Sequence, residues 1–156
     1  MLKKILSWKN SQGFEISTDS SKVDIDRLFQ FLSSETYWSK GIPKKLVIES
    51  VNHSLNFSLL SPNSGFIGFA RVVTDFSTFG WLADVFIDKE YRGKKLGVWL
   101  IETISNHPDL QNLRNFLLFT KDAHDLYKKF GWKHLENPEI MLAKKKTPEE
   151  LYPLST

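Results

Sequence analysis

The residues of this chain with the clearest chemical purpose are Arg92-Gly93-Lys94-Lys95-Leu96-Gly97. They follow an apolar, strand-like run ending at Ile87 and feed directly into a helical run. The first turn of a helix carries backbone N–H groups without intrahelical partners and the positive end of the helix dipole, so it binds phosphate. Gly93 and Gly97 let the backbone approach a ligand closely, while Arg92, Lys94 and Lys95 add positive charge. The hexamer also reads as a solvated, basic helix start whose glycines serve only the turn. Other phosphate loops fit less well. There is no G-x-x-x-x-G-K-[ST], the glycines are not spaced G-x-G-x-x-G, and the turn follows the fourth predicted strand rather than the first.

Asp84 is the second notable residue, a carboxylate inside an otherwise apolar strand. Burying a charge without a partner is costly, so such a residue serves function or pairs with a cation. Arg71 on the neighbouring predicted strand is the available counterion. His53, His107, His124 and His134 are scattered without metal-ligand spacing and read as surface or satisfied residues, so no metal site is expected. There is no cysteine, which removes disulfides, thiolate metal sites and a cysteine nucleophile together.

The elements that must position these groups come from a chain of 156 residues, the length of one domain. Its 41% hydrophobic and 25% charged residues are ordinary for a globular protein. The 12 Phe, 5 Trp and 4 Tyr exceed what such a core needs, so some rings are expected to line a pocket. No apolar run reaches the ~20 residues of a membrane span, and the opening residues are too short and broken for a secretory leader. A cytoplasmic protein without membrane partners is expected. Net charge is +3 with a pI near 9.0, but the lysines sit in scattered pairs rather than one stripe, which weakens a nucleic-acid reading.

Phe14–Thr18 alternates like a strand, and Ile25, Leu28, Phe29 and Leu32 form a helical stripe over Asp24–Ser33. An aromatic loop, Thr36–Ile42, leads to Pro43, which can open a helix running to about Val51. Leu55–Leu59 reads as a half-buried strand, Ser61–Gly65 as a turn, and Phe66–Thr74 and Trp81–Ile87 as central strands, with Trp81 in the core. A helix is expected from about Lys94 to Ser105, and a fifth strand, buried on both faces, at Asn115–Thr120. Ala123, Leu126, Tyr127 and Phe130 form another helical stripe, closed by Gly131. Trp132–Leu135 and Ile140–Ala143 complete the pattern as a hairpin, and residues from about 144 to 156 as a polar tail. No repeat or linker divides residues 1–156, so an α/β domain with a mixed sheet and helices on both faces is predicted.

The Arg92–Gly97 hexamer resembles the acetyl-CoA signature of the GNAT acyltransferases, [Q/R]-x-x-G-x-[G/A], with Arg92 in its first position and Gly97 in its last. Downstream, Ala123-His124-Asp125-Leu126-Tyr127-Lys128-Lys129-Phe130-Gly131-Trp132 is similar to that family's second signature, A-x-x-L-Y-x-K-x-G-[FW]. The element order is also similar to the GNAT fold across nearly the whole chain. The resemblance implies a single domain with a mixed, mostly antiparallel sheet of six to seven strands. Two positions depart from the pattern. Lys95 replaces the signature glycine, and Thr120 replaces an asparagine often found before the helix tyrosine.

The resemblance further implies an N-acetyltransferase that uses acetyl-CoA and no metal, and acts on a small-molecule amine as monomer or homodimer. Cofactor contacts would come from Val85, Phe86 and Ile87 on a splayed strand, from Arg92, Gly93, Lys94, Lys95, Leu96 and Gly97, and from Thr120. Tyr127 would protonate the departing thiolate, although it also reads as a core tyrosine on its stripe. Asp84 would be the base. Asp75 could instead hold the substrate ammonium, and Tyr37 and Trp38 would wall the acceptor site. Without cysteine a thioester enzyme intermediate is excluded, so transfer would be direct. The alternative is an acyl-CoA-binding sensor without turnover, favoured by Lys95 and Thr120.

Overall fold

The computed structural model describes residues 3–154. Six strands lie side by side in chain order: β1 Ser7–Lys9, β2 Glu15–Ser17, β3 Leu55–Ser61, β4 Gly65–Thr74, β5 Phe79–Ile87 and β6 Asn115–Leu118. The first five pair antiparallel and β6 joins β5 in parallel, giving the mixed, mostly antiparallel sheet. Residues whose side chains alternate along a strand feed two cores, one on each face. Phe57, Leu59, Ile67, Val72 and Leu82 meet α3 (Leu96–Ser105) and α4 (His124–Lys128). Phe69 and Phe86 meet α1 (Ile25–Gln30) and α2 (Lys44–Asn52) on the other face.

Local chemistry explains the helix ends. Asp24 accepts from the Arg27 N–H at 3.0 Å and so caps α1. The predicted helix ends early as regular α structure and widens into a π turn over Phe31–Glu35. The Thr36 and Ser39 hydroxyls both reach back to the Leu32 carbonyl, at 2.7 and 2.9 Å, which satisfies a group the altered turn frees. Pro43 flanks α2 as its N-cap residue rather than its first helical one.

Several expectations change. β3 is buried on both faces, because α1 and α2 cover the side carrying Asn56 and Ser58. Asn56 answers that burial by donating to the Val51 carbonyl at 2.8 Å. β6 stops at Leu118 and is only half-buried, since it has a strand on one side alone, and Phe119 is 65% exposed. Trp81 is half-buried and stands edge-on to Phe119 rather than in either core. The closing hairpin is absent. Pro138–Ile140 forms a 3₁₀ turn that takes Ile140 out of extended geometry, and Leu142 is 93% exposed. Within the tail, Thr147 and Glu150 form a capping box at α5 (Pro148–Leu151).

His107 follows α3 and is fully buried between the Trp8 and Phe57 rings, with Nδ1 accepting from the Asp109 N–H at 3.1 Å. Desolvation pushes its pKa below the ordinary histidine value. A group with a depressed folded pKa gives stability that is complete above its unfolded pKa of ~6.5 and is lost as pH falls through the lower folded value. Urea midpoints should therefore drop between neutral pH and pH ~5, and His107→Gln should flatten that slope. Equal slopes in the two proteins would show that the ring does not stay neutral in the fold.

Candidate active site

β5 is shared between two neighbours that leave it at different points. Its parallel pairing with β6 runs from Phe79↔Asn115 to Leu82↔Leu118 and stops, while its pairing with β4 continues to Ile87↔Gly68. Ala83–Ile87 therefore has no strand along one edge. Within that stretch Asp84 and Val85 together oppose Ala70, an extra residue that makes a β-bulge. Asp84 takes the left-handed conformation there, with φ 55°. Aspartate is among the few non-glycine residues that tolerate it. Beyond the bulge Val85 and Ile87 face the α3 core, while Phe86 stacks on Phe31 at 4.0 Å on the opposite face.

The chain then turns through Lys89–Tyr91 into the basic hexamer. Arg92 folds back, its Nε donating to the Ile87 carbonyl at 3.0 Å, so it braces the strand end. Gly93 has φ 78° and a Cβ there would meet nothing within 4 Å. Lys95 has φ 61°, a glycine-like conformation at the position where the family signature has glycine. No side chain caps α3, so its first N–H groups face outward without a protein partner. Buried Leu96 anchors the helix start in the core. A Cβ on Gly97 would meet only Ile87 Cγ1, at 3.9 Å, leaving open space over the turn. Lys94 lies over the Tyr91 ring, 5.3 Å from its centroid. The arrangement fits a polyphosphate: uncapped N–H groups, flanking cations and no obstructing side chain.

Asp84 sits on the α1–α2 face of the sheet. Its Oδ2 accepts from Arg71 Nε at 2.6 Å and its Oδ1 from Trp38 Nε1 at 3.2 Å, leaving other lone pairs free. Arg71 also donates to Ser54 Oγ at 3.1 Å. The bulge residue, the counterion expected for it and the aromatic loop thus meet in one place. Tyr37 and Trp38 stand edge to face at 5.1 Å, both exposed. Asp75 lies elsewhere, in the β4–β5 turn. Its carboxylate takes backbone N–H groups of Ser77, Thr78 and Phe79 at 2.9, 2.8 and 3.1 Å, and the Thr78 hydroxyl at 2.6 Å. These bonds hold its pKa well below the usual carboxylate range.

Tyr127 on α4 is 8% exposed, and its hydroxyl has no hydrogen-bond partner among the described residues. Burial, with a smaller push from Asp122, raises its pKa to about 12. Thr120 Oγ1 accepts from the Ala123 N–H at 3.0 Å, which commits it to the approach to α4. A cavity of about 980 Å³ lies beside β6, lined by Phe116, Tyr127, Trp132 and His134 among others. It touches Tyr127 but neither Asp84 nor the Arg92–Gly97 turn.

This fold recurs in known proteins. The family model for the acetyltransferase (GNAT) domain matches residues 54–134, just over half of the chain. A GNAT-family crystal structure from Xanthomonas campestris pv. campestris, provisionally assigned as an acetyltransferase, is 38% identical. It superposes with a TM-score of 0.85 over 90% of this chain and 96% of that one. The chain belongs to the GNAT acetyltransferase family. A Gibberella zeae protein, also provisionally assigned as an acetyltransferase, is 27% identical over 73% of this chain and 75% of its own length. A Clostridium acetobutylicum acetyltransferase structure with acetyl-CoA has a TM-score of 0.58 at 16% identity, covering 91% of this chain and 96% of that one, a likeness of fold alone.

Within this GNAT domain the sequence pattern missed three contributors. Ser54 supports Arg71, Lys121 lies 3.6 Å from the Tyr37 ring centroid, and Phe119 stands against Trp81. Only the fold brings them together. Asp84 and Arg71 form a largely buried pair, with side-chain exposures of 8% and 18%. Asp84→Asn leaves the guanidinium without its counterion, so it should cost about 1–3 kcal/mol of stability. Chemical denaturation checks this, and an unchanged midpoint would mean that the pair does not hold the bulge.

Proposed function

We propose that the protein is an acetyl-CoA-dependent N-acetyltransferase that moves the acetyl group directly to the amine of a small molecule. The observation that carries this reading is the uncapped start of α3, entered through left-handed Gly93 and Lys95 beside the unpaired edge of β5. When bound, acetyl-CoA supplies a thioester that an amine can attack. The N–H groups of the α3 turn hold its phosphates, with Lys94 and Lys95 adding charge. The free backbone edge of β5 at Val85–Ile87 orients the pantetheine arm and the thioester. Asp84 faces the opposite side of the sheet, where its remaining lone pairs accept the acceptor's ammonium and take its proton directly or through water. Tyr127, kept protonated by burial, gives a proton to the leaving thiolate.

Coenzyme A should stabilise the fold by ~2.7 kcal/mol at a hundredfold excess over Kd. A melting temperature unmoved by millimolar acetyl-CoA would reject the proposal. Tyr127→Phe should lower kcat by roughly 10²-fold with KM little changed, the scale of a lost general acid. Lysine at the signature position favours a second reading, an acyl-CoA sensor. Binding of coenzyme A without product from any amine would select that reading.

Lys95 separates two effects. Lys95→Gly relieves a left-handed side chain worth about 1 kcal/mol, so the unliganded protein should hold or gain stability. It also removes a flexible cation from the phosphate turn, so coenzyme A should bind more weakly and the loss should shrink with added salt. Titrations of both proteins at two salt concentrations test this, and tighter binding by the glycine variant at both would reverse the assigned role.

A further inference from the structure

The α1–α2 face of the sheet carries more than the aromatic loop and Asp84. Residues paired across antiparallel strands share a face, so Arg71 with Ala83 and Val73 with Trp81 extend the floor away from the bulge. Trp81 meets the exposed Phe119 ring edge-on at 4.5 Å. This floor has two rims. On one, Trp38 bonds to Asp84 and touches Tyr37. On the other, Phe119 leads through Thr120 to Lys121, whose Nζ sits over Tyr37 and joins the rims.

The C-terminal segment adds a second lysine. Lys145 Nζ lies 5.5 Å from the centre of the Phe119 ring, and the chain then runs through α5 to Tyr152, which packs against Gly41. Residues 145–152 therefore link the β6 rim to the end of the aromatic loop. Neither Lys121 nor Lys145 has a carboxylate within ion-pair distance among the described residues, Asp122 included. On the facing elements Asp84 is engaged by Arg71, and Glu35 by Arg27.

The charge balance decides what this face can take. Asp84 is already paired with Arg71, whereas Lys121 and Lys145 have no ion-pair partner among the described residues. A diamine or other polycation would add like charge beside two unpaired ammonium groups, which disfavours it. We infer that the acceptor is an amine that also bears an anionic group, a carboxylate or a phosphate, with Lys121 receiving the anion and Asp84 the ammonium end. This rests on the N-acetyltransferase reading for its reaction but not for its binding. Resting on the Tyr37 ring, the Lys121 ammonium is held near the mouth before a ligand arrives, which lowers the ordering cost of the contact. Lys121 is thus a specificity-determining residue, and Lys145 assists it from the tail.

The test separates binding from turnover. In the whole chain saturated with coenzyme A, binding of β-alanine, aminoethylphosphonate and propylamine is measured by calorimetric titration, and product is followed separately by mass with acetyl-CoA. Either anionic amine should bind roughly tenfold more tightly than propylamine, the scale of one charge-assisted contact. Lys121→Gln, an exposed substitution, should erase that preference by weakening the anionic amines, and Lys145→Gln should reduce it. Equal affinities in the wild type, or a preference that survives Lys121→Gln, overturns the inference. A Lys121-dependent preference without product from any amine supports the anion site and counts against the acetyltransferase reading instead.

Discussion

The contact between Arg71 and Asp84 carries the geometry of this domain. Asp84 is held at a positive φ, which costs an ordinary residue on the order of 1–3 kcal/mol and persists only where the surroundings over-determine it. Arg71 across the β4–β5 ladder and the Trp38 indole provide that constraint. The inserted residue resets the alternation of β5, so that Val85 and Ile87 face α3 and Phe86 faces Phe31. It lies just past the last β5–β6 pair, where one edge of β5 loses its strand partner. A single ion pair thus holds the bulge that sets the register of the strand leading into the basic Arg92–Gly97 turn.

The second left-handed residue on this path is Lys95, and it answers a different constraint. A strand that ends at Ile87 must reverse and present the start of α3 with its N–H groups outward, which needs positive φ at Gly93 and again at Lys95. Glycine would accept the second position without strain. Lysine accepts it at a cost and places a cation beside the open turn. Phe76 shares the conformation in the β4–β5 turn, where the Asp75 carboxylate organises the loop through its own hydrogen bonds. Positive φ alone does not mark a functional residue in this chain. What separates Asp84 and Lys95 from Phe76 is the open backbone beside them.

Much of this was legible in the chain because the signals were local. The Arg92–Gly97 turn stands out by its glycine spacing next to a helix start, α1 by its apolar stripe and α2 by Pro43 ahead of it. Asp84 stood out as a carboxylate in an apolar strand, and Arg71 as its counterion. The errors came from features that local pattern does not encode. Asn56 and Ser58 look solvent-facing until the helical layer covers them, and the Phe-Leu-Leu-Phe run of β6 looks central until it proves to be an edge. Trp132–Ala143 alternates well enough for a hairpin, but Pro138 draws the chain into a 3₁₀ turn and no strand receives it. Lys121 and Phe119 carry no motif and gain meaning only when the chain after β6 brings Lys121 to Tyr37 and Phe119 to Trp81.

The last step concerns why two lysines should rest on aromatic rings at the rim of a face already holding an ion pair. A lysine free in solvent keeps full rotamer freedom and full hydration, so perching it on a ring is a small gain at most, about 0.5–1 kcal/mol when exposed. Position therefore matters more than stability here. Lys121 bridges the two rims through Tyr37, and Lys145 ties the tail to β6 before α5 docks its end against Gly41. Both cations are thereby held beside a floor on which Asp84 is already paired with Arg71. For the proposed acceptor amine, two unpaired cations at the rim would favour a molecule that brings negative charge of its own. Its ammonium would then reach Asp84 with the rim cations screened, and the contacts that order the rim would also select the molecule that crosses it.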